Sequence, residues 1–181
     1  VRQYVIYQVG ALQGFCRAHG TSMQHVKPHG AMYLDAVEND SVARGIAHGI
    51  LAIDPDLLFV ALAGKKGEPM RRMGGELGLK VAYEAFPDRA YSADGNLMPR
   101  GSKGAVVEEP EEVAERARTL AKDNIVRTAD GESVAIEAHT LCVHGDTPTA
   151  VELVRNIEDR MHRAGLAMSP MKGLVASTAT G

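Results

Sequence analysis

The chain has 181 residues, 45% of them hydrophobic and 24% charged, a balance that suits one folded domain and excludes a disordered chain. With 20 basic against 23 acidic residues the formal net charge is −3, so no field of one sign is available to hold nucleic acid or an anionic membrane. The 2 cysteines, Cys16 and Cys142, exclude a disulfide framework or a CxxC metal site, and both are expected to pack as small buried hydrophobes. No apolar run reaches the length of a membrane span and no signal-peptide pattern opens the chain, so a cytoplasmic location is expected.

The chain is helical in pattern from its first residue, with Val1, Val5, Val9, Leu12 and Cys16 recurring at helical spacing up to Gly20. No capping residue stands ahead of Val1, and the expectation is that part of the fold precedes it. A short strand over residues 23–26 breaks at Lys27-Pro28-His29-Gly30. A helix over residues 31–51 and an Asp54-Pro55-Asp56 turn follow. The continuous apolar run 57–63 reads as a parallel strand covered on both faces. It ends in Gly64-Lys65-Lys66-Gly67, a faint suggestion of a phosphate cradle without the GK[ST] ending of a Walker A loop. A short helix toward Leu77-Gly78 precedes a third strand over residues 79–85.

A long polar loop occupies residues 86–109, and Pro110 suits the first position of a helix whose Val113, Ala117 and Leu120 share one face. Residues 125–128 and 133–137 flank Ala129-Asp130-Gly131-Glu132, which predicts a hairpin. A strand over 139–143 comes next, then a helix capped by Thr147, begun by Pro148 and ended by Gly165. Residues 1–165 are expected to form one domain and 166–181 a flexible tail. Alternating strands and helices imply an α/β fold with a mainly parallel sheet or barrel.

In such folds chemistry sits on loops at the carboxyl ends of strands. Those loops carry His25, Lys27 and His29 after the first strand, and Glu84, Asp88, Arg89 and Tyr91 after the third, with Asp94 and Arg100 further along. His144 and Asp146 follow the last strand. His25 admits a second reading as a core histidine, and Asp88-Arg89 a second reading as an internal ion pair holding the loop. Lys27-Pro28-His29-Gly30 fixes the backbone around two polar side chains, which suits a positioned site better than a surface turn. His29, His144, Asp88 and Asp146 are chemically able to hold a metal, but no local spacing such as HExxH supports one.

The runs Gln24-His25-Val26-Lys27-Pro28-His29-Gly30-Ala31, Asp88-Arg89-Ala90-Tyr91, Asp94-Gly95 with Leu97, Pro99 and Arg100, Gly104-Ala105-Val106, and Cys142-Val143-His144-Gly145-Asp146 occur in this order. Together with Tyr4-Val5-Ile6-Tyr7-Gln8 and Gly10-Ala11-Leu12-Gln13, they resemble signatures of the LamB/YcsF family over residues 1–165. Family members open with Asn-Cys-Asp-Leu-Gly-Glu, Gly-Phe-His-Ala-Gly-Asp and Gly-Ala-His-Pro motifs, none of which occurs here. Leu34 stands where Asn is expected and Pro87 where Ala is expected, and Lys65-Lys66-Gly67-Glu68-Pro69 is unlike the family helix.

The resemblance implies an irregular seven-stranded β/α barrel of the glycoside hydrolase/deacetylase type, here lacking its first strands. The activity it implies is an ATP-dependent 5-oxoprolinase, opening the lactam of 5-oxoproline to L-glutamate with two partner subunits. Homo-oligomer formation stays open, as does magnesium with the ATP. In this picture Lys27, with Arg89 or Arg100, binds anionic groups, assisted by Tyr91 and His25. His29, His144 and Asp146 handle protons, and Glu84 or Asp88 orients them. Two alternatives remain: a metal-dependent amide or acetyl hydrolase, and a non-catalytic 5-oxoproline-binding subunit.

Overall fold

The computed structural model describes residues 1–145, 148–171 and 173, which form two compact units. The first comprises residues 1–62 and 66–83 with the described residues from 170 onward; the second comprises 63–65 and 84–169. Both are α/β.

In the first unit, α1 (Arg2–Ala18) packs on α3 (Asp40–Ile53). The contact is close because Gly45 and Gly49, one turn apart on α3, offer no side chain: a Cβ on Gly49 would stand 2.7 Å from that of Val5. Val5 is the buried residue of α1, while Tyr4, Tyr7, Leu12 and Phe15 are exposed. Cys16 is only half-buried, contrary to expectation. A single neighbouring helix covers a narrower stripe than the apolar pattern of α1 provides.

The helix expected over 31–51 is two helices, α2 (Gly30–Glu38) and α3. Asn39 divides them, in extended conformation, with its side chain accepting from the Ser41 amide. An Asx cap in mid-pattern overrode a continuous apolar period. β1 (His25–Val26) pairs in parallel with β2 (Leu58–Leu62), whose residues are all buried, as a doubly covered strand requires. The Phe59 amide then donates to the Lys80 carbonyl, at the start of β3 (Val81–Ala85). Between them α4 (Glu68–Glu76) covers β2 with Met70 and Met73, and Gly74 lies against Phe59 and Val81. Met171 packs on Leu58, Val60 and Ala82, while residues 172 and 174–181 of the expected tail lie outside the described residues.

In the second unit the last residues of β3 pair in parallel with β6 (Thr140–Leu141), Glu84 opposite Thr140 and Ala85 opposite Leu141. Helix α5 (Pro110–Asp123) has Pro110 in its first turn and Glu109 as its cap, and buries Val113, Ala114, Ala117 and Leu120. It packs on α6 (Ala150–Arg163) through Leu153, Ile157 and Met161. That helix starts later than expected, with Thr149 at its cap and no side-chain bond to it, and Thr147 lies outside the described residues. β4 (Ile125–Arg127) and β5 (Ser133–Ala135) form the expected antiparallel hairpin, turned by Gly131 at φ +90. Cys142 is half-buried rather than enclosed.

Candidate functional site

The second unit contains the best-defined polar arrangement. Directly after β3 the chain turns inward, so that Phe86, Asp88, Arg89, Ala90 and Tyr91 are all buried. Asp88 is 1% exposed, and its Oδ2 accepts from the His144 amide at 3.0 Å and meets His144 Nδ1 at 2.7 Å. A carboxylate oxygen at this distance is matched by an N–H on Nδ1, the tautomer that in a neutral ring leaves Nε2 as the acceptor. Phe86 stacks on the imidazole with ring centroids 5.4 Å apart and planes 17° from parallel. The His144 side chain keeps 23% of its surface exposed. A half-open imidazole, held by a buried carboxylate and in plane by a ring, is the geometry that general acid–base chemistry uses.

Of the two readings of Asp88-Arg89, the internal ion pair does not form; Asp88 takes His144 instead. Arg89 is 7% exposed and turns into its own loop, with Nε donating to the Ala105 carbonyl at 3.2 Å and Nη2 to that of Met98 at 2.5 Å. Burial, and then the charge of Arg100, pull its pKa below the ordinary value, against Asp88 and Tyr91. Its geometry therefore makes Arg89 a strut of the loop, not the anion-binding group expected. Tyr91 is likewise enclosed, and its hydroxyl oxygen accepts from the Phe86 amide at 2.9 Å. Burial pushes its pKa up to about 12, so the hydroxyl stays protonated at neutral pH. Glu84 is buried on β3, Arg100 is exposed on the loop, and Asp146 lies outside the described residues.

Sequence reasoning missed Arg116. It sits on α5 between Val113 and Ala117, 8% exposed, on the face that should be apolar. All three guanidinium nitrogens donate to carbonyls: Nε to Pro87 at 2.9 Å, Nη1 to Arg127 at 2.8 Å and Nη2 to Arg89 at 2.6 Å. An arginine interrupting an apolar stripe three residues after Val113 was the available signal. Phe86 was missed too, since nothing in sequence marks a ring as stacking on a histidine.

The first unit holds the other expected group. Lys27 Nζ lies 5.9 Å from the centroid of Tyr33, and His25 is half-buried on β1. His29 is exposed at the cap of α2 and makes no side-chain hydrogen bond to the helix. The glycine-lysine run has a packing reason: a Cβ on Gly67 would fall 1.7 Å from the Leu62 carbonyl oxygen, which accepts from Arg71 Nη1 at 2.8 Å. Among the described residues no cluster of three or more His, Cys, Asp or Glu side chains has metal-binding geometry, and no helix is long and apolar enough to cross a membrane.

The LamB/YcsF family pattern matches residues 1–176. A Pyrococcus horikoshii protein, whose name makes it the A component of a 5-oxoprolinase, is 45% identical over 174 residues, covering 96% of this chain and 67% of that protein. A Syntrophobacter fumaroxidans protein of the same name is 43% identical over 171 residues, covering 94% and 66%. That name describes each as one part of a larger enzyme. The crystal structure of the lactam utilization protein from Thermus thermophilus superposes with a TM-score of 0.86 at 40% identity, over 92% of this chain and 65% of that one. This likeness bears out the α/β class read from the sequence. The chain thus spans about two thirds of the length of the relatives it matches, and it belongs to the LamB/YcsF family.

Proposed function

We propose that the chain acts within the A component of a 5-oxoprolinase, where the Asp88–His144 pair serves proton transfer as a lactam is opened. The supporting observation is the buried Asp88 carboxylate 2.7 Å from His144 Nδ1, in a family whose members carry lactam-directed names. A lactam nitrogen is a poor leaving group, and its carbonyl carbon is a weak electrophile. Water attacking that carbon needs a base, and the departing ring nitrogen needs a proton. His144 Nε2 supplies the first function as a neutral imidazole and the second once it has taken up the water proton. Asp88 stabilises the imidazolium between the two events.

ATP, with its magnesium, enters as a substrate: its γ-phosphoryl passes to the amide oxygen as ADP leaves, which makes the carbon more electrophilic. Water then adds, the ring C–N bond breaks, and a second water cleaves the resulting acyl phosphate to the carboxylate and inorganic phosphate. Lys27 and Arg100 are the cations retained for anionic groups, and His29 is a second proton carrier. The substrate is 5-oxoproline, the product L-glutamate, the partners two further subunits, and the location the cytoplasm.

The test is glutamate release from 5-oxoproline by the full chain with ATP and both partner subunits. Release that vanishes in His144→Ala, Lys27→Ala and His29→Ala, each with an unchanged circular dichroism spectrum, supports the reading. No release from an assembled wild-type complex overturns it, and wild-type release that survives His144→Ala removes His144 from the chemistry.

A further inference from the structure

The carboxylate of Asp88 is only as well placed as the main chain that carries it. Three consecutive carbonyls fix that main chain. Those of Pro87 and Arg89 accept from Arg116, and that of Asp88 itself accepts from the Val107 amide at 2.9 Å. A fourth bond ties the same guanidinium to Arg127 at the end of β4. One side chain on α5 thus grips the loop on both sides of Asp88 and ties it to the hairpin. Tyr91 holds the other end, through the amide of Phe86, whose ring lies on His144. Hydrogen bonds from a charged donor are stronger than neutral ones, so this grip resists the loop's relaxation.

We propose that Arg116 is a positioning residue for the His144 base. By clamping the carbonyls either side of Asp88 it sets the Asp88 Oδ2 to His144 Nδ1 contact, and with it the tautomer and aim of the imidazole. The inference rests on the lactam-opening role for its kinetic consequence, but not for its geometric one. A lysine at 116 keeps the charge and loses the three-way fork, so it cannot hold both flanking carbonyls and the hairpin at once. A misplacement of about 1 Å at a catalytic group costs on the order of 100-fold in rate, which sets the scale.

The test uses the full chain, with His144 imidazole nitrogens followed by NMR, and the assembled complex for kinetics. In the wild type the ring shows a single Nδ1–H tautomer. In Arg116→Lys the tautomer signals are averaged, kcat per folded molecule falls about 10- to 100-fold and KM changes little. A purely structural residue would lower the melting temperature and leave the tautomer and kcat per folded molecule intact; that result overturns the proposal. If Arg116→Lys does not fold, Arg116→Gln, which cannot reach both flanking carbonyls and the hairpin together, takes its place, and an unaltered His144 signal there overturns it equally. A wild-type complex without lactam opening defeats the proposed function alone, because the NMR arm still decides the positioning.

Discussion

Two of the strand-end turns that carry polar residues singled out by the sequence are built differently. Lys27-Pro28-His29-Gly30, after β1, leaves His29 exposed, with the Lys27 cation 5.9 Å from the Tyr33 centroid. The turn after β3 is interior: Asp88 is 1% exposed, its neighbours' carbonyls are occupied, and its carboxylate has a fixed partner. The first turn presents an exposed histidine to solvent; the second holds a side chain that cannot move without breaking both its bonds to His144. A polar residue at a strand end announces chemistry, but whether it is preorganised depends on what grips the backbone beneath it.

The sharpest way to break this contrast is Asp88→Asn. Both contacts with His144 are made by Oδ2, so the amide oxygen takes that place, but the negative charge that stabilises an imidazolium is lost and the amide NH2 is buried where Oδ1 has no hydrogen-bond partner. Turnover of the complex is expected to drop about 100- to 10,000-fold with the fold retained, measured as kcat alongside a thermal melt. Next comes alkaline pH. Tyr91 has a folded pKa of about 12 against about 10 for an unfolded tyrosine, so above pH 10 the unfolded chain releases a proton that the folded chain keeps. Stability supplied below pH 10 is therefore lost between pH 10 and 12, by about 2–3 kcal/mol, in denaturant titrations. Tyr91→Phe removes that pH dependence. At neutral pH it costs about 1–3 kcal/mol, because the Phe86 amide is left buried without its acceptor.

The first turn yields smaller effects on stability. Lys27→Ala is expected to cost about 0.5–1 kcal/mol, the scale of an exposed cation–π contact, read from a urea midpoint. His29→Ala is expected to stay within about 0.5 kcal/mol of wild type in the same titration. A loss above about 2 kcal/mol in His29→Ala would erase the distinction between the two turns.

The elements easiest to read were those whose signals agree. Pro110 with Val113, Ala117 and Leu120 marks α5; Asp130-Gly131 marks the hairpin; the run 57–63 contains β2. The break at Asn39 escaped because apolar residues recur on both sides of it, and one side-chain cap decided against the longer period. In the candidate site, Asp88 and His144 were both legible as strand-end residues, but their pairing was not. The two stand far apart in the chain, and adjacent Arg89 offered a closer charge in sequence. Arg116 was hidden for a different reason. Its partners are main-chain oxygens, which every residue has, so no pattern of residue types points to them.

That property bears on how the loop tolerates substitution. Arg116 reads carbonyls and ignores side chains, so positions 87 and 127 can change identity while the anchor persists, whereas Arg89 is held by its own side-chain bonds. Pro87, standing where alanine is expected, illustrates the point: proline gives up an amide hydrogen but keeps the oxygen Arg116 needs. The residue before Asp88 can therefore change while the guanidinium keeps its hold on the main chain.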